Sequence, residues 1–99
     1  MREIVAKLNK VFDNRIRLAV MSALSVNDSL DFNSMKELLD VTDGNLASHI
    51  AALEDERYLK VTKKFVGKKP QTTYALTVSG RRAFTEHIDV LEQLIKKSQ

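Results

Sequence analysis

The sequence predicts a mainly α-helical domain that carries one small β-hairpin. Three observations lead there. Apolar residues recur at intervals of three and four over most of the chain. Residues 58–65 switch to an alternating pattern, with Leu59, Val61, Lys63 and Phe65 in one register and Tyr58, Lys60, Thr62 and Lys64 in the other. A turn-forming run, Val66-Gly67-Lys68-Lys69-Pro70, then separates that stretch from a second one rich in Thr and Tyr. With 99 residues the chain is read as one domain, residues 1–99, long enough to bury a core without disulfide or metal staples.

Ile4, Val5, Leu8, Val11 and Phe12 fall at helical spacing and predict a first helix within residues 1–13. Asp13-Asn14 can cap a second helix, because short side-chain acceptors satisfy the free N–H groups of a first turn. Ile16, Ala19, Val20, Ala23 and Leu24 give that helix its apolar stripe. Residues 26–29 read as a loop, followed by a brief extended Leu30-Asp31-Phe32. Asn33 or Ser34 then caps a third helix, Ser34 with Glu37 matching the S-x-x-E capping box and Met35, Leu38 and Leu39 forming the buried face. After a break at residues 41–44, Thr42 caps a fourth helix, which runs to about Glu56. Its Leu46, Ile50 and Leu53 lie at i, i+4 and i+7. Two short helices joined by a tight turn, the second with one narrow apolar stripe, outline a helix-turn-helix.

The alternating strand, the turn at residues 66–70 and a return strand over residues 71–77 make the hairpin. A last helix opens at residues 77–80, with Phe84, Ile88, Leu91 and Ile95 at 4-3-4 spacing. The resulting order is that of a winged helix: a core over residues 14–77 flanked by an N-terminal helix within residues 1–13 and a C-terminal helix over residues 78–99. Residues 39–54 (LDVTDGNLASHIAALE), residues 65–77 (FVGKKPQTTYALT) and the following Ser79-Gly80-Arg81 resemble the recognition-helix and wing signatures of small stand-alone winged-helix regulators. The resemblance is to the ArsR/MarR-like superfamily and spans roughly Asn14 to Leu94. It implies a transcriptional regulator, most simply a repressor.

The charge distribution points the same way without the resemblance. Residues 57–85 hold Arg57, Lys60, Lys63, Lys64, Lys68, Lys69, Arg81 and Arg82 and no acid. The eight basic residues elsewhere face all thirteen acids, a local charge of −5. A domain acidic in most places and basic in one stretch has the footprint of a polyanion binder, although clustered lysines also serve solubility. Lys63, Lys64, Lys68 and Lys69, with Gln71 and Thr72 beside them, crowd like charge into a ribbon able to lie on a phosphate backbone or beside a minor groove. The other reading of that ribbon is a solvated hairpin.

On the fourth helix, burial of Leu46, Ile50 and Leu53 turns Gly44, Ser48, Ala51, Ala52 and Asp55 outward, with Asn45 and His49 on a flank. Thr42, Gly44, Asn45, Ser48, His49 and Ala52 are therefore the candidate major-groove contacts. Small residues permit close approach, Asn, Ser and His offer donors and acceptors, and the helix N-terminus offers free N–H groups. The same Ala and Ser residues would also serve as plain helix filler. Ile4 and Leu8 with Phe84, Ile88, Leu91 and Ile95 either cover the domain's own core or form a two-fold homodimer interface. A dimer would set two recognition helices about 34 Å apart on double-stranded DNA.

Composition also excludes classes. Without cysteine there is no disulfide framework and no thiolate metal sensor of the kind found near residues 38–41 in many ArsR members. No apolar run approaches the roughly 20 residues of a membrane span, and the N-terminus is amphipathic rather than a signal core, so a cytoplasmic protein without membrane contact is expected. His49 and His87 are the only histidines, the first expected at DNA or at the helix edge, the second at the surface or an interface. No nucleophile elbow, phosphate-cradling loop, catalytic residue, metal site or cofactor is read. No separate effector domain is expected in 99 residues, and any effector ligand is left open. The rival to DNA binding is a winged-helix protein-interaction module, favoured by Asp43, Glu54, Asp55 and Glu56 around the fourth helix.

Overall fold

The computed structural model describes residues 1–97, so the last two positions of the expected C-terminal helix, Ser98 and Gln99, lie outside the described residues. Along the chain come α1 (Arg2–Val5), a single 3-10 turn (Lys10–Phe12), α2 (Arg15–Ser25), β1 (Leu30–Asp31), α3 (Phe32–Leu39), α4 (Asp43–Asp55), β2 (Leu59–Val66), β3 (Lys69–Leu76) and α5 (Val78–Lys97). The strands form an antiparallel sheet in the order β1-β3-β2. Among the described residues this is a winged helix: five helices, with a β2–β3 wing anchored to the helices through β1.

The core sits where α2, α3 and α4 meet the base of the wing. Val20, Met21, Leu24, Met35, Leu46 and Leu53 are fully buried there, with Leu59 from β2 and Phe12 from the N-terminal segment closing it. Asn14 caps α2 as expected, its Oδ1 accepting from the N–H groups of Ile16 and Arg17 at 2.9 and 3.0 Å. The stripe on α2 is shifted from the expected one: Met21 is buried, while Ile16 and Ala19 are half-buried.

The N-terminal segment corrects the expectation of one helix over residues 1–13. Helix α1 ends at Val5, and Asn9 breaks the pattern. Its Oδ1 accepts from Val11 N at 3.0 Å, its Nδ2 donates to the Tyr58 hydroxyl at 3.0 Å, and its backbone N–H donates to His87 Nδ1 at 3.1 Å. A continuous helix would withdraw that backbone N–H into its own ladder. The break also drops Phe12 into the core, its ring centroid 5.6 Å from Tyr58, 6.0 Å from Phe84 and 5.1 Å from His87.

Helix α3 is capped by Asp31, not by Asn33 or Ser34. Pairing of Leu30 with Tyr74 and of Asp31 with Thr73 holds the chain extended up to Asp31, so the cap falls on the last extended residue. Its Oδ2 accepts from Ser34 N at 3.2 Å, and bonding to Ser34 pulls the Asp31 carboxyl below its ordinary pKa. The expected buried face also loses a member, since Leu38 is 60% exposed. Helix α4 ends in a Schellman turn: Tyr58 N–H donates to Leu53 O at 3.0 Å and Arg57 N–H to Glu54 O at 2.8 Å. The turn places Arg57 in the left-handed region at φ 62°.

The hairpin is tighter than expected. The turn is Gly67-Lys68 alone, with Gly67 at φ 66°, and Val66 and Lys69 pair across it. Pro70 therefore lies within β3, opposite Phe65. The two-residue turn makes Val66–Lys69 the hydrogen-bonded pair, so Pro70 aims its missing N–H outward, beyond the reach of β1.

Helix α5 crosses the base of the wing with Gly80, His87 and Val90 buried beneath it. The radius of gyration of 15.0 Å exceeds the roughly 13 Å of a compact chain of this length, because the wing tip and the last turns of α5 stand clear of the core.

Candidate nucleic-acid interface

Helix α4 is oriented by its own buried stripe. With Leu46, Ile50 and Leu53 against the core, Gly44, Asn45, Ser48, Ala51 and Asp55 are exposed, and His49 and Ala52 are half-buried at the margin. Thr42, itself exposed, caps the helix by accepting from Asn45 N at 3.3 Å. A Cβ built on Gly44 would meet nothing within 4 Å, so the fold itself does not require the absence of a side chain there. The acid at the start of the helix is neutralised by its neighbour across the turn: Lys36 Nζ lies 2.7 Å from Asp43 Oδ1.

Two arginines that the sequence reading passed over flank this face. Arg17 on α2 donates from Nε to His49 Nδ1 at 3.0 Å and from a terminal nitrogen to Val11 O at 3.4 Å. A guanidinium has no acceptor, so His49 Nδ1 accepts and its Nε2 carries the ring proton as a donor. Arg15 lines a cleft of about 370 Å³ together with Ile16, Leu39, Asp40, Thr42 and Asn45, where the start of α2 faces the α3–α4 turn. Both arginines lie on polar positions of α2, and only the apolar period of that helix was legible.

The wing follows α4 in the chain, and β2 packs against that helix. Lys63, Lys64, Lys68 and Lys69 are all exposed, and none forms an ion pair among the described residues; Gln71 and Thr72 are half-buried. The register divides the ribbon into two faces. Lys63, Phe65, Pro70 and Thr72 share one, and Lys64, Val66, Lys69 and Gln71 share the other. At the base, Tyr74 is partly buried beside Glu54, and desolvation followed by that negative charge raises its hydroxyl above its ordinary pKa.

The residues expected at a dimer interface divide. Ile88 (41%) and Ile95 (60%) are exposed. Ile4, Leu8 and Leu91 are half-buried, and Phe84 packs edge-on against Phe12 within the same chain. His87, expected at the surface or an interface, is instead buried at 5% exposure and accepts the Asn9 N–H. Burial lowers its pKa, and Asp13 nearby opposes the shift. Its polar character at a helical position gave the sequence no sign that a distant backbone N–H would satisfy it. Among the described residues no helix is long and apolar enough to cross a membrane.

Comparison with known proteins adds four findings. Residues 16–95 match the family model described as a winged helix DNA-binding domain. The chain is 32% identical over 87 residues to an uncharacterised protein of Methanocaldococcus jannaschii, covering 88% of this chain and 95% of that one. A transcriptional regulator homologue from Pyrococcus horikoshii superposes with a TM-score of 0.87 at 28% identity, over 99% of this chain and 95% of that one. Bacillus subtilis PadR, solved in complex with operator DNA, shares the fold at a TM-score of 0.67 and 15% identity, over 76% of this chain and 48% of that one.

Proposed function

The chain belongs to the winged helix DNA-binding domain family, and from that membership we propose a sequence-specific, homodimeric regulator of transcription in the ArsR/MarR-like manner. The single observation that carries the reading is the pairing of a small-residue, fully open α4 N-terminal face with an exposed lysine ribbon on one winged-helix scaffold. In this reading α4 enters the major groove. Thr42 and Gly44 bring backbone N–H groups to a phosphate and Asn45, whose N–H is held by the Thr42 cap, offers its exposed side-chain amide, while Ser48, His49 and Ala52 meet base edges. His49 offers its Nε2–H to an acceptor such as guanine O6 or N7, held in that tautomer by Arg17. The wing supplies most of the attraction to phosphate, since α4 itself carries no basic residue but His49.

Ile88 and Ile95 on α5, with Ile4, Leu8, Phe84 and Leu91 beside them, are proposed as the surface that pairs two copies. A 20-residue helix with exposed isoleucines one heptad apart supports that use, because an apolar stripe in water is stabilised by a matching one. Occupying an operator needs only these two surfaces, which makes the proposed mode repression. Chromosomal DNA as partner sets the cytoplasm as the expected location. Residues 1–99 are read as one functional unit.

Selection of bound duplexes from a random pool, followed by hydroxyl-radical footprinting, tests the reading. The expected footprint is two-fold symmetric, with half-sites one helical turn apart, about 34 Å. Leu91→Asp should give monomers in sedimentation and lose the paired footprint. A pool that yields no enriched sequence, or an unchanged dimer in Leu91→Asp, would contradict it. Capture of protein partners by an α4 face that ignores DNA would favour an interaction module instead.

A further inference from the structure

Phe65 is an anomaly in a lysine-rich ribbon. It is 74% exposed, Val66 is 57% exposed, and Pro70 stands directly across from Phe65. Nothing in the fold requires an aromatic there, since the core ends at Leu59 and the half-buried Val61. Burial in a second copy of the wing is disfavoured, because it would bring two sets of lysines together. The lysines select a polyanion, and among polyanions duplex DNA offers an apolar lining in the sugars of its minor groove.

We infer that the wing tip is an apolar wedge for the minor groove, with Phe65 and Pro70 on one face and Val66 on the other. The inference rests on the DNA-binding reading and specifies what the wing does there. Dimensions support it. A strand advances about 3.3 Å per residue and the minor groove is about 7.5 Å deep, so roughly two residue pairs fit within the groove. Counted from the turn, these are Val66–Lys69 and Phe65–Pro70. The next pairs, Lys64–Gln71 and Lys63–Thr72, then stand at the rim, level with the phosphates, one lysine on each face of the ribbon. The ribbon is wider than the roughly 6 Å of an undistorted minor groove, so entry must open it. Apolar side chains favour that opening by covering the sugars it exposes, and Phe and Pro are residue types used as such wedges. Guanine obstructs the wedge, because its N2 amino group projects from the groove floor.

Three alternating duplexes separate groove from sequence: dA·dT, dI·dC and dG·dC. Inosine lacks the N2 amino group, so dI·dC resembles dA·dT in the minor groove and dG·dC in the major groove. The unmodified protein is expected to bind dI·dC about tenfold more tightly than dG·dC, which presents the same major-groove face to α4, and to bind dA·dT more tightly than dG·dC as well. Phe65→Ser should weaken binding to dA·dT and dI·dC by roughly tenfold and erase the preference. Its side chain is too exposed for the fold to depend on it. Lys64→Ala, at the rim, should weaken all three duplexes equally and keep their order. The wedge is refuted if dI·dC groups with dG·dC, or if the order survives in Phe65→Ser. Failure to bind any of the three at low salt would remove the DNA-binding reading and the wedge with it.

Discussion

Gly80 and Gly44 both sit in first turns of helices, and the same substitution should act on them in opposite directions. Helix propensity alone favours alanine over glycine by about 1 kcal/mol. At Gly44 a Cβ meets nothing within 4 Å, so Gly44→Ala is expected to stabilise by up to that amount. At Gly80 the new Cβ would fall 2.9 Å from both the Cα and the carbonyl carbon of Tyr58, and closer still to the carbonyl oxygen. That backbone cannot yield by a rotamer change. Tyr58 N–H is bonded to Leu53 O at 3.0 Å and Tyr58 O accepts Thr77 N–H at 3.0 Å, while Asn9 donates to its hydroxyl. Relief to an ordinary 3.5–4.0 Å contact requires α5 to move off the wing base by the order of 1 Å. The shift would loosen Ala83, Phe84 and His87 beneath the helix.

Overpacking of this kind costs about 1–3 kcal/mol, and a backbone-on-backbone contact belongs at the upper end. After the propensity gain, a net loss of about 2 kcal/mol remains for Gly80→Ala. In a domain of this size that lowers Tm by roughly 8–15 °C. Thermal unfolding followed by circular dichroism, with all proteins at one concentration, measures both variants. Gly80→Ala matching Gly44→Ala in sign would refute the packing argument. Gly44→Ala should also weaken DNA binding while it stabilises the fold, because the added methyl stands on the face proposed to approach the bases.

The remaining predictions concern a buried imidazole and a strained turn. His87 must be neutral to accept the Asn9 N–H, and its folded pKa lies below the ordinary 6.5. The unfolded chain therefore binds the extra proton first. The stabilising contribution is complete above about pH 6.5 and is lost as the pH falls through the folded value. Tm of the natural sequence should drop between pH 7 and pH 5, and His87→Gln, which can accept without titrating, should flatten that drop; parallel curves would show that another group is responsible. Arg57 at φ 62° carries a left-handed strain that glycine escapes. Arg57→Gly should raise stability by up to about 1 kcal/mol and Arg57→Val should lower it, both measured by urea unfolding.

Local signals carried most of the fold. The stripe of α4 and its Thr42 cap, the Asn14 cap of α2 and the change of period at β2 are consequences of neighbours within a few residues, and each is in place. What escaped the sequence is long-range. Asn9 breaks the first helix because of Tyr58 and His87, 49 and 78 positions away. Asp31 displaces Ser34 as cap because β3 holds it extended. The stripe Phe84, Ile88, Leu91 and Ile95 was visible by spacing, yet the face that α5 buries is set by Gly80, His87 and Val90. A glycine and a histidine carry no hydrophobic signal. At the interface, the lysines of the wing were legible as charge, whereas Arg17 became notable only when its Nε was found on His49. The tip residues Phe65 and Pro70 read as ordinary strand and turn until the register set them face to face in solvent.

The central claim is that the wing lysines supply most of the attraction to duplex DNA, and its most direct test is the salt dependence of affinity. Each neutralised phosphate contributes about −0.9 to the slope of log K against log salt. A steep negative slope is predicted for the natural sequence. Lys63→Ala and Lys64→Ala should each weaken binding across sequences and make the slope shallower by about 1 per copy, so by about 2 in a dimer. Undetectable binding at low salt, or a slope that these substitutions leave unchanged, would contradict the account.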